Sequence, residues 1–583
     1  MRLANRCMGR AMTALRSVQV ELQGKYSIER VYQLDQYSWH TGTLHVVATM
    51  VLTPLPCLLS VVVMEVIPLA DWRLGLPHSL TFWVRGFLVV FLIAFAVLEQ
   101  GRHFVPRLPM TDAQLWGSSL FTAAGTAVVT YGISSAVGFP LPFTIACGSP
   151  QCCFFLVVCI VMFWGKFLME NAVERNRLVK YILVVTVQVA MSYVYPAYNF
   201  IFVHLSSSAQ MAFAFMLPVL KILIKNWIGF LFRDMDDFKP ELVILNAEIF
   251  HALFVSWCMQ RSTSTYTTVL LMVMDFLEAT LSLRDIGHLM KTMNGVLRSV
   301  NERLLLSPSH DNPAPSGDSP NLLTLSMLIW EKDGSILESS GIRFSSHIPK
   351  RSFNSVHPNS AVIGPITNNS SVESFENPWN AKLGHLMRGK ELDIRHATKL
   401  DHETSEYSKR KLGGVSGDSP TNSYAQEIVD EMSKSERLQY LQCALQVLHI
   451  AEFLVLVELT EVMIPMVYCI YLSIVYRLPN KVYYSQLRGV DDATLQRNLL
   501  SVMTYSFLEL VSFLMLCYML QRKVGVSSIR QLTFVLSSQW QVAQSKFVLW
   551  IVHSVQAPLD HFGADFSFQF QWLHGNTTSI WGE

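Results

Sequence analysis

The chain has 583 residues, of which 51% are hydrophobic and 15% charged, and its formal net charge is +1. With a mean hydropathy of +0.31, that balance excludes an ordinary soluble domain, and without a basic total or a basic patch it excludes nucleic acid as a partner. The lipid bilayer is the expected surrounding.

Residues 1–43 carry Arg2, Arg6 and Arg10 ahead of any acid and read as a basic cytoplasmic N-terminal tail under the positive-inside rule. No apolar core of secretory length occurs there, so the first membrane helix is expected to act as the signal. Apolar windows of about twenty residues then predict helices near 44–67, 80–98, 115–137, 152–169, 179–203, 210–232, 241–260 and 264–283. Together they form a first membrane block over 44–283. The third of these helices carries Gly117, Gly125 and Gly132 on one stripe, which lets a neighbouring backbone come close. Gly138-Phe139-Pro140-Leu141-Pro142 ends it and predicts an external loop, with a re-entrant loop as the alternative. Cys147, Cys152 and Cys153 share that loop, where a disulfide could form although no pairing follows from the sequence. The other cysteines lie mostly in apolar segments without metal-type spacing and read as small buried hydrophobes.

Residues 284–446 are rich in Ser, Pro, Asn and Gly and predict a mostly disordered cytoplasmic linker. Helical spacing continues to about Leu306, and an amphipathic helix starts near Tyr424. Between them, apolar runs flanking Lys332-Asp333-Gly334 predict a hairpin within Leu322 to Phe344. Ser307, Ser319 and Ser419 each precede a proline and are candidate phosphorylation sites. Helices near 450–474, 499–520 and 540–556 form a second membrane block over 447–556, followed by an external tail over 557–583 with a glycosylation acceptor at Asn576. The expected fold is therefore an all-α polytopic helical bundle of about eleven transmembrane helices with a long disordered cytoplasmic insert. Seventeen Lys and Arg residues then lie in inner segments outside the linker against six in outer ones, which supports a cytoplasmic N-terminus. The loop 475–498, with four basic residues on the outer side, is the exception.

Within the apolar stretches the ionisable residues recur at helical spacing. Glu248 and His251 share one face of their helix, and Asp275 and Glu278 share one face of the next. Counting about 1.5 Å per residue from the inner surface, Lys225, Glu248, Asp275 and Glu458 fall at roughly 10–12 Å, and Lys221, His251, Glu461 and Glu509 at roughly 15–17 Å. An ionisable group at such depth is expensive and normally faces protein or a water-filled cavity. Acids outnumber the two lysines, so protons, a cation or shifted proton affinities must balance them. The candidate pathway for a proton or cation is thus Glu248, His251, Asp275, Glu278, Glu458, Glu461, Glu509, Lys221 and Lys225. The competing interpretation is that these groups only bond neighbouring helices and that the lysines snorkel.

A single Glu-x-x-His falls short of the paired set of a di-metal bundle, so no metal and no cofactor are expected. Asp234-Met235-Asp236-Asp237 could hold a divalent cation in a nucleotide-sugar transferase, but no folded extramembrane domain accompanies it. There is no Walker loop, no His-Glu-x-x-His and no Gly-x-Ser-x-Gly, so the sequence favours a non-enzyme. Two functions follow: a proton- or cation-coupled transporter or channel using the intramembrane carboxylates, or a non-transporting membrane scaffold or receptor whose linker binds cytoplasmic proteins.

Four stretches carry a resemblance: YSIERVYQLDQYS from Tyr26, ELVILNAEIFHALF from Glu241, QSKF from Gln544 and HFGADFSFQFQWL from His561. They resemble multi-pass membrane protein families of oomycetes. The resemblance implies an integral membrane protein of the plasma membrane or an endomembrane with a variable cytoplasmic insert. It implies no substrate and no catalytic residue.

Overall fold

A computed structural model of the chain describes Leu22, Phe213 and residues 24–205, 216–232, 239–261, 265–306, 321–339, 420–484 and 487–563, with backbone alone at 195, 196, 199, 202–204, 218, 254, 256–261, 265–278, 305, 306, 334–339 and 420–423. Sixteen α-helices occur among the described residues: α1 Ile28–His40, α2 Thr43–Leu52, α3 Leu55–Val66, α4 Leu80–Phe104, α5 Asp112–Val137, α6 Thr144–Glu170, α7 Ala172–His204, α8 Met216–Leu231, α9 Lys239–Arg261, α10 Thr265–Leu306, α11 Leu322–Ser339, α12 Pro420–Glu431, α13 Lys434–Val475, α14 Asp492–Val524, α15 Ser528–Ser538 and α16 Trp540–Gln556. Among the same residues the sole β-pairing is a bridge between Tyr484 and Leu559.

Seven helical stretches are long and apolar enough to cross a membrane, as in a multi-pass membrane protein: Thr43–Val66, Leu80–Phe104, Asp112–Val137, Thr144–Glu170, Ala172–Val194, Lys434–Val475 and Asp492–Val524. The first is α2 and α3 together, interrupted at Pro54, which cannot supply the backbone N–H that a continuous helix needs. Six of the seven bury only 22–33% of their apolar window, whereas Lys434–Val475 buries 83%. A helix apolar on all sides belongs in a core, and α13 is the axis of this one: α9, α10 and α14 pack along it. The six others turn residues such as Val128, Phe154, Val161, Met162, Phe507 and Leu514 outward. Such contiguous exposed apolar faces are what lipid covers.

Local signals place the helix ends. Thr111 and Gln114 form a capping box at the start of α5, and Ser433 and Glu436 do so for α13. Asp491 accepts from the Thr494 N–H at the start of α14, and Gly525, at φ 74°, ends it in the left-handed conformation.

Several expectations are corrected. Cys147, Cys152 and Cys153 lie on α6, not in a loop, and all three are free thiols: the helix starts at Thr144, right after the proline-rich run. Leu322–Ser339 is a helix with a break at Asp333 rather than a hairpin, because α11 packs against α1, α12 and α13 and tertiary burial overrides the turn signal. The helical spacing expected to about Leu306 is found, since α10 runs without interruption to that residue. α1 falls inside the expected basic tail, yet Ile28, Val31 and Leu34 are wholly buried and the helix is part of the bundle. The predicted helices near 210–232 and 540–556 exist as α8 and α16 with 16 and 17 residues, about 24–26 Å long and short of the roughly 30 Å hydrocarbon layer. Ser307, Ser319, Ser419, Asn576 and the Asp234 to Asp237 cluster lie outside the described residues.

The segment after α16 docks against the ends of α4 and α6. Gly563, at φ +60°, accepts from the Phe143 N–H at 3.0 Å, and a Cβ there would sit 2.3 Å from the Leu141 carbonyl oxygen. Gly563→Ala is therefore expected to destabilise the protein by on the order of 2 kcal/mol or more, since left-handed backbone costs a side-chain-bearing residue about 1–2 kcal/mol before the clash is counted. A thermal melt of the purified variant checks it.

The same corner contains two groups whose titrations oppose each other. Burial pushes the Asp560 carboxyl up to about 6 even though Arg488 pairs with it. Burial likewise holds His561 down to about 4, where its neutral ring donates from Nε2 to the Ala70 carbonyl at 2.7 Å. Asp560 contributes stability below its unfolded value of 3.8 and loses it as pH rises through about 6. His561 contributes stability above 6.5 and loses it as pH falls through about 4. The two slopes cancel between pH 4 and 6. Asp560→Asn removes one of them, so the variant's melting temperature should fall by several degrees more than the parent's on acidification from pH 6.5 to 4.

Candidate functional site

Three tiers of buried polar side chains are strung along α13. From Glu452 to Tyr471 the helix rises about 28 Å, close to the thickness of a hydrocarbon core.

The first tier joins α1, α9, α13 and α15. Arg30 pairs with Glu241 and, at 2.7 Å, with Glu452. Tyr26 donates its hydroxyl to Glu452 and accepts from Gln531 Nε2 at 2.8 Å. The extended stretch before α1 is held by Tyr26 N–H to Leu445 O. Beside it, His449 is wholly buried between the rings of Tyr26 and Phe453.

The middle tier is built from α8, α9, α13 and α14. Lys221 and Lys225, one turn apart on α8, reach Glu248 of α9 at 3.2 and 2.5 Å. Lys221 also reaches Glu461 of α13 at 3.2 Å, so it bridges two helices. Carboxylate oxygens of Glu458, Glu461 and Glu509 lie within 4.8 Å of one another. All six side chains are at most 5% exposed or close to it. Among the described residues four carboxylates thus meet two ammonium groups. The sequence explains the arrangement: Glu458 and Glu461 are three apart on α13, Lys221 and Lys225 four apart on α8, and each pair therefore presents one face.

The third tier closes the opposite end. Glu65 of α3 pairs with Arg85 of α4, and the same Glu65 oxygen accepts from Tyr484 at 2.6 Å, Gln556 at 3.0 Å and Tyr471 at 3.1 Å. Arg85 donates in turn to Gln556 at 2.8 Å and to Tyr484 at 2.7 Å. Glu65 and Arg85 are both 0% exposed.

Of the residues singled out in the sequence, Lys221, Lys225, Glu248, Glu458, Glu461 and Glu509 meet in the middle tier. His251 is buried on α9 one turn beyond Glu248. Asp275 and Glu278 fall on α10, which packs on α13, but their side chains lie outside the described residues. The first and third tiers were not foreseen as sites. A signal existed, since Glu65 and Arg85 are each an isolated charge in an apolar run of a predicted span, which marks a buried partner. That they pair with each other, and that Arg30 pairs with Glu241 and Glu452, spans separations of 20, 211 and 422 residues and leaves no local trace.

Chemically, the outer tiers are built on arginine: Arg85 pairs with one acid, Glu65, and Arg30 with two, Glu241 and Glu452. The middle tier differs in its cations, which are lysines, flexible point charges, and in the three carboxylates gathered within 4.8 Å of one another. Such a set can hold a proton or a small cation. No family model matches the chain, and no match was found among curated proteins or solved structures.

Proposed function

We propose that the chain is a multi-pass membrane protein that moves a proton or a small cation through the middle tier, with its N-terminus on the cytoplasmic side. The observation that carries this reading is the convergence of Glu458, Glu461 and Glu509 within 4.8 Å beside a lysine that bridges Glu461 and Glu248. Like charges at that spacing cannot all remain ionised in a low-dielectric interior. A bound proton or cation relieves the repulsion, and Lys221 then competes with it for Glu461. With the three acids occupied, Lys221 is drawn to Glu248; with them emptied, Lys221 neutralises Glu461. Such an exchange supplies two states of the site from a short side-chain movement. The quoted resemblance to oomycete membrane protein families is in keeping with this reading.

The fixed arginine clamps of the first and third tiers favour a second reading, in which buried polar groups only hold helices together in a scaffold or receptor whose linker binds cytoplasmic partners. Flux measurements separate the two. Proton and monovalent-cation fluxes are recorded in proteoliposomes for the parent and for Glu461→Gln with Glu509→Gln, each with a thermal melt. The transport reading expects flux in the parent and a drop of at least tenfold in the double variant with the melt unchanged or raised. Parent flux no greater than that of empty liposomes would sink it and leave the scaffold.

A further inference from the structure

A second, chemically distinct site lies between α4, α5, α6, α7 and α16. It is a cavity of about 150 Å³ whose walls are apolar apart from a few hydrogen-bonding side chains, and among the described residues no Asp, Glu, Lys or Arg lines it. Four of the lining side chains, Thr126 and Thr130 of α5, Gln188 of α7 and Trp550 of α16, are no more than 5% exposed. Thr126 Oγ1, Thr130 Oγ1, Gln188 Oε1 and Trp550 Nε1 have no hydrogen-bond partner among the described residues.

Buried polar atoms are normally partnered, and the local remedy is used elsewhere in this chain. Thr186 donates to Ile182 O at 2.9 Å, Thr460 to Leu456 O at 2.8 Å and Thr504 to Leu500 O at 2.7 Å. Thr126 and Thr130 do not turn back on their helix in this way. They line the cavity one turn apart on α5, opposite Gly148, where a Cβ would lie 3.9 Å from Thr130 Oγ1. Gln188 and Trp550, which also line the cavity, are fixed by α9: Gln188 Nε2 bonds Asn246, which also accepts from Lys546 at 2.7 Å, and the Trp550 ring packs at 4.5 Å on Phe250 one turn along. The donor Trp550 N–H and the acceptor Gln188 oxygen are thus held in place whether or not anything binds.

We propose that this cavity binds a neutral, largely apolar molecule through a single hydroxyl group. A hydroxyl accepts from Trp550 Nε1 and donates to Gln188 Oε1, which no carboxylate can do and no hydrocarbon can do. The uncharged lining rules against phosphate or carboxylate headgroups, and the volume suits a ring or a short run of chain. The molecule is a free alcohol or the hydroxyl-bearing end of a membrane lipid.

The test uses octanol carrying a photoreactive diazirine on its chain, applied to the full protein in bilayer discs, with cross-links mapped by mass spectrometry. The expected result is saturable labelling of the α5, α7 and α16 peptides that n-octanol displaces and n-octane and octanoate do not. Trp550→Phe, which keeps a ring and removes the N–H, lowers that labelling at least fivefold, and so does Gln188→Met, which removes the acceptor oxygen. Displacement by dioctanoylglycerol as well as octanol assigns the lipid source, and displacement by octanol alone assigns a free alcohol. The proposal is overturned if octane displaces the probe as well as octanol, if labelling of these peptides does not saturate, or if folded Trp550→Phe labels like the parent. Should the variants fail to fold, the octanol and octane comparison on the parent decides by itself.

Discussion

Arg85→Met lowers the stability of the protein by about 3–5 kcal/mol, the range found when one partner of a buried ion pair is removed. Glu65 is then left with three neutral donors, Tyr471, Tyr484 and Gln556, and without its counter-charge in a place that water does not reach. Hydrogen bonds from neutral groups soften that loss but do not cancel a full charge. The damage spreads because Glu65 joins α3 to α4, α13, α16 and the turn at Pro479–Tyr483. Its main-chain carbonyl also accepts from Asn480 at 2.8 Å. The companion variant Arg85→Met with Glu65→Met removes both charges and should recover most of the loss, since a matched apolar pair is often as stable as the buried ions it replaces. Thermal inactivation at a fixed scan rate, read for parent, single and double variants, checks both statements. An Arg85→Met protein as stable as the parent would remove the clamp role assigned to this tier.

The second large effect is in the middle tier. Lys221→Met with Lys225→Met leaves Glu248, Glu458, Glu461 and Glu509 facing one another without the two ammonium groups that meet them in the parent. At pH 7.5 the loss should again be several kcal/mol. Replacing Glu248 and Glu461 by Gln as well takes away the acids that the lysines contact, so the quadruple variant should recover part of the loss. Thermal melts of the parent, double and quadruple variants check both statements, and a quadruple variant no more stable than the double one would mean that the lysines act by packing their stems rather than by charge.

The contrast between tiers gives a physical reason for placing function in the middle one. Guanidinium groups at the two ends donate several bonds at fixed angles and keep their charge at any accessible pH. Lys221 instead bridges two carboxylates at equal distances of 3.2 Å, a balanced position from which a small change in the protonation of either acid displaces it. Rigid ends with a responsive centre suit a helix bundle that must stay closed to leak while one group exchanges.

Helix positions were written in the chain itself. Apolar runs located the bodies of α4, α5 and α14, with ends up to seven residues short, because an apolar stretch in lipid has little choice but to satisfy its own backbone as a helix. The candidate acids and lysines of the middle tier were also visible, since an ionisable residue inside such a run is costly enough to need a reason. Spacing along one helix showed which of them share a face, whereas depth counting divided between two levels the six residues that the structure joins in one tier. What could not be read was adjacency. Lys221 meeting Glu461, Arg30 meeting Glu241 and Glu452, and Glu65 meeting Arg85 depend on how helices are arranged around α13. Hydrophobic patterning says that a face is buried without saying against what. The same limit explains why Leu322–Ser339 looked like a hairpin and α1 like a tail. Each is short and locally ambiguous, and its conformation comes from the surface it packs on. The sequence by itself determined the long apolar helices and the buried charges of the middle tier; the tertiary structure decided the short helices and which charges meet, because pairing energies act between helices that only the packed core brings within reach.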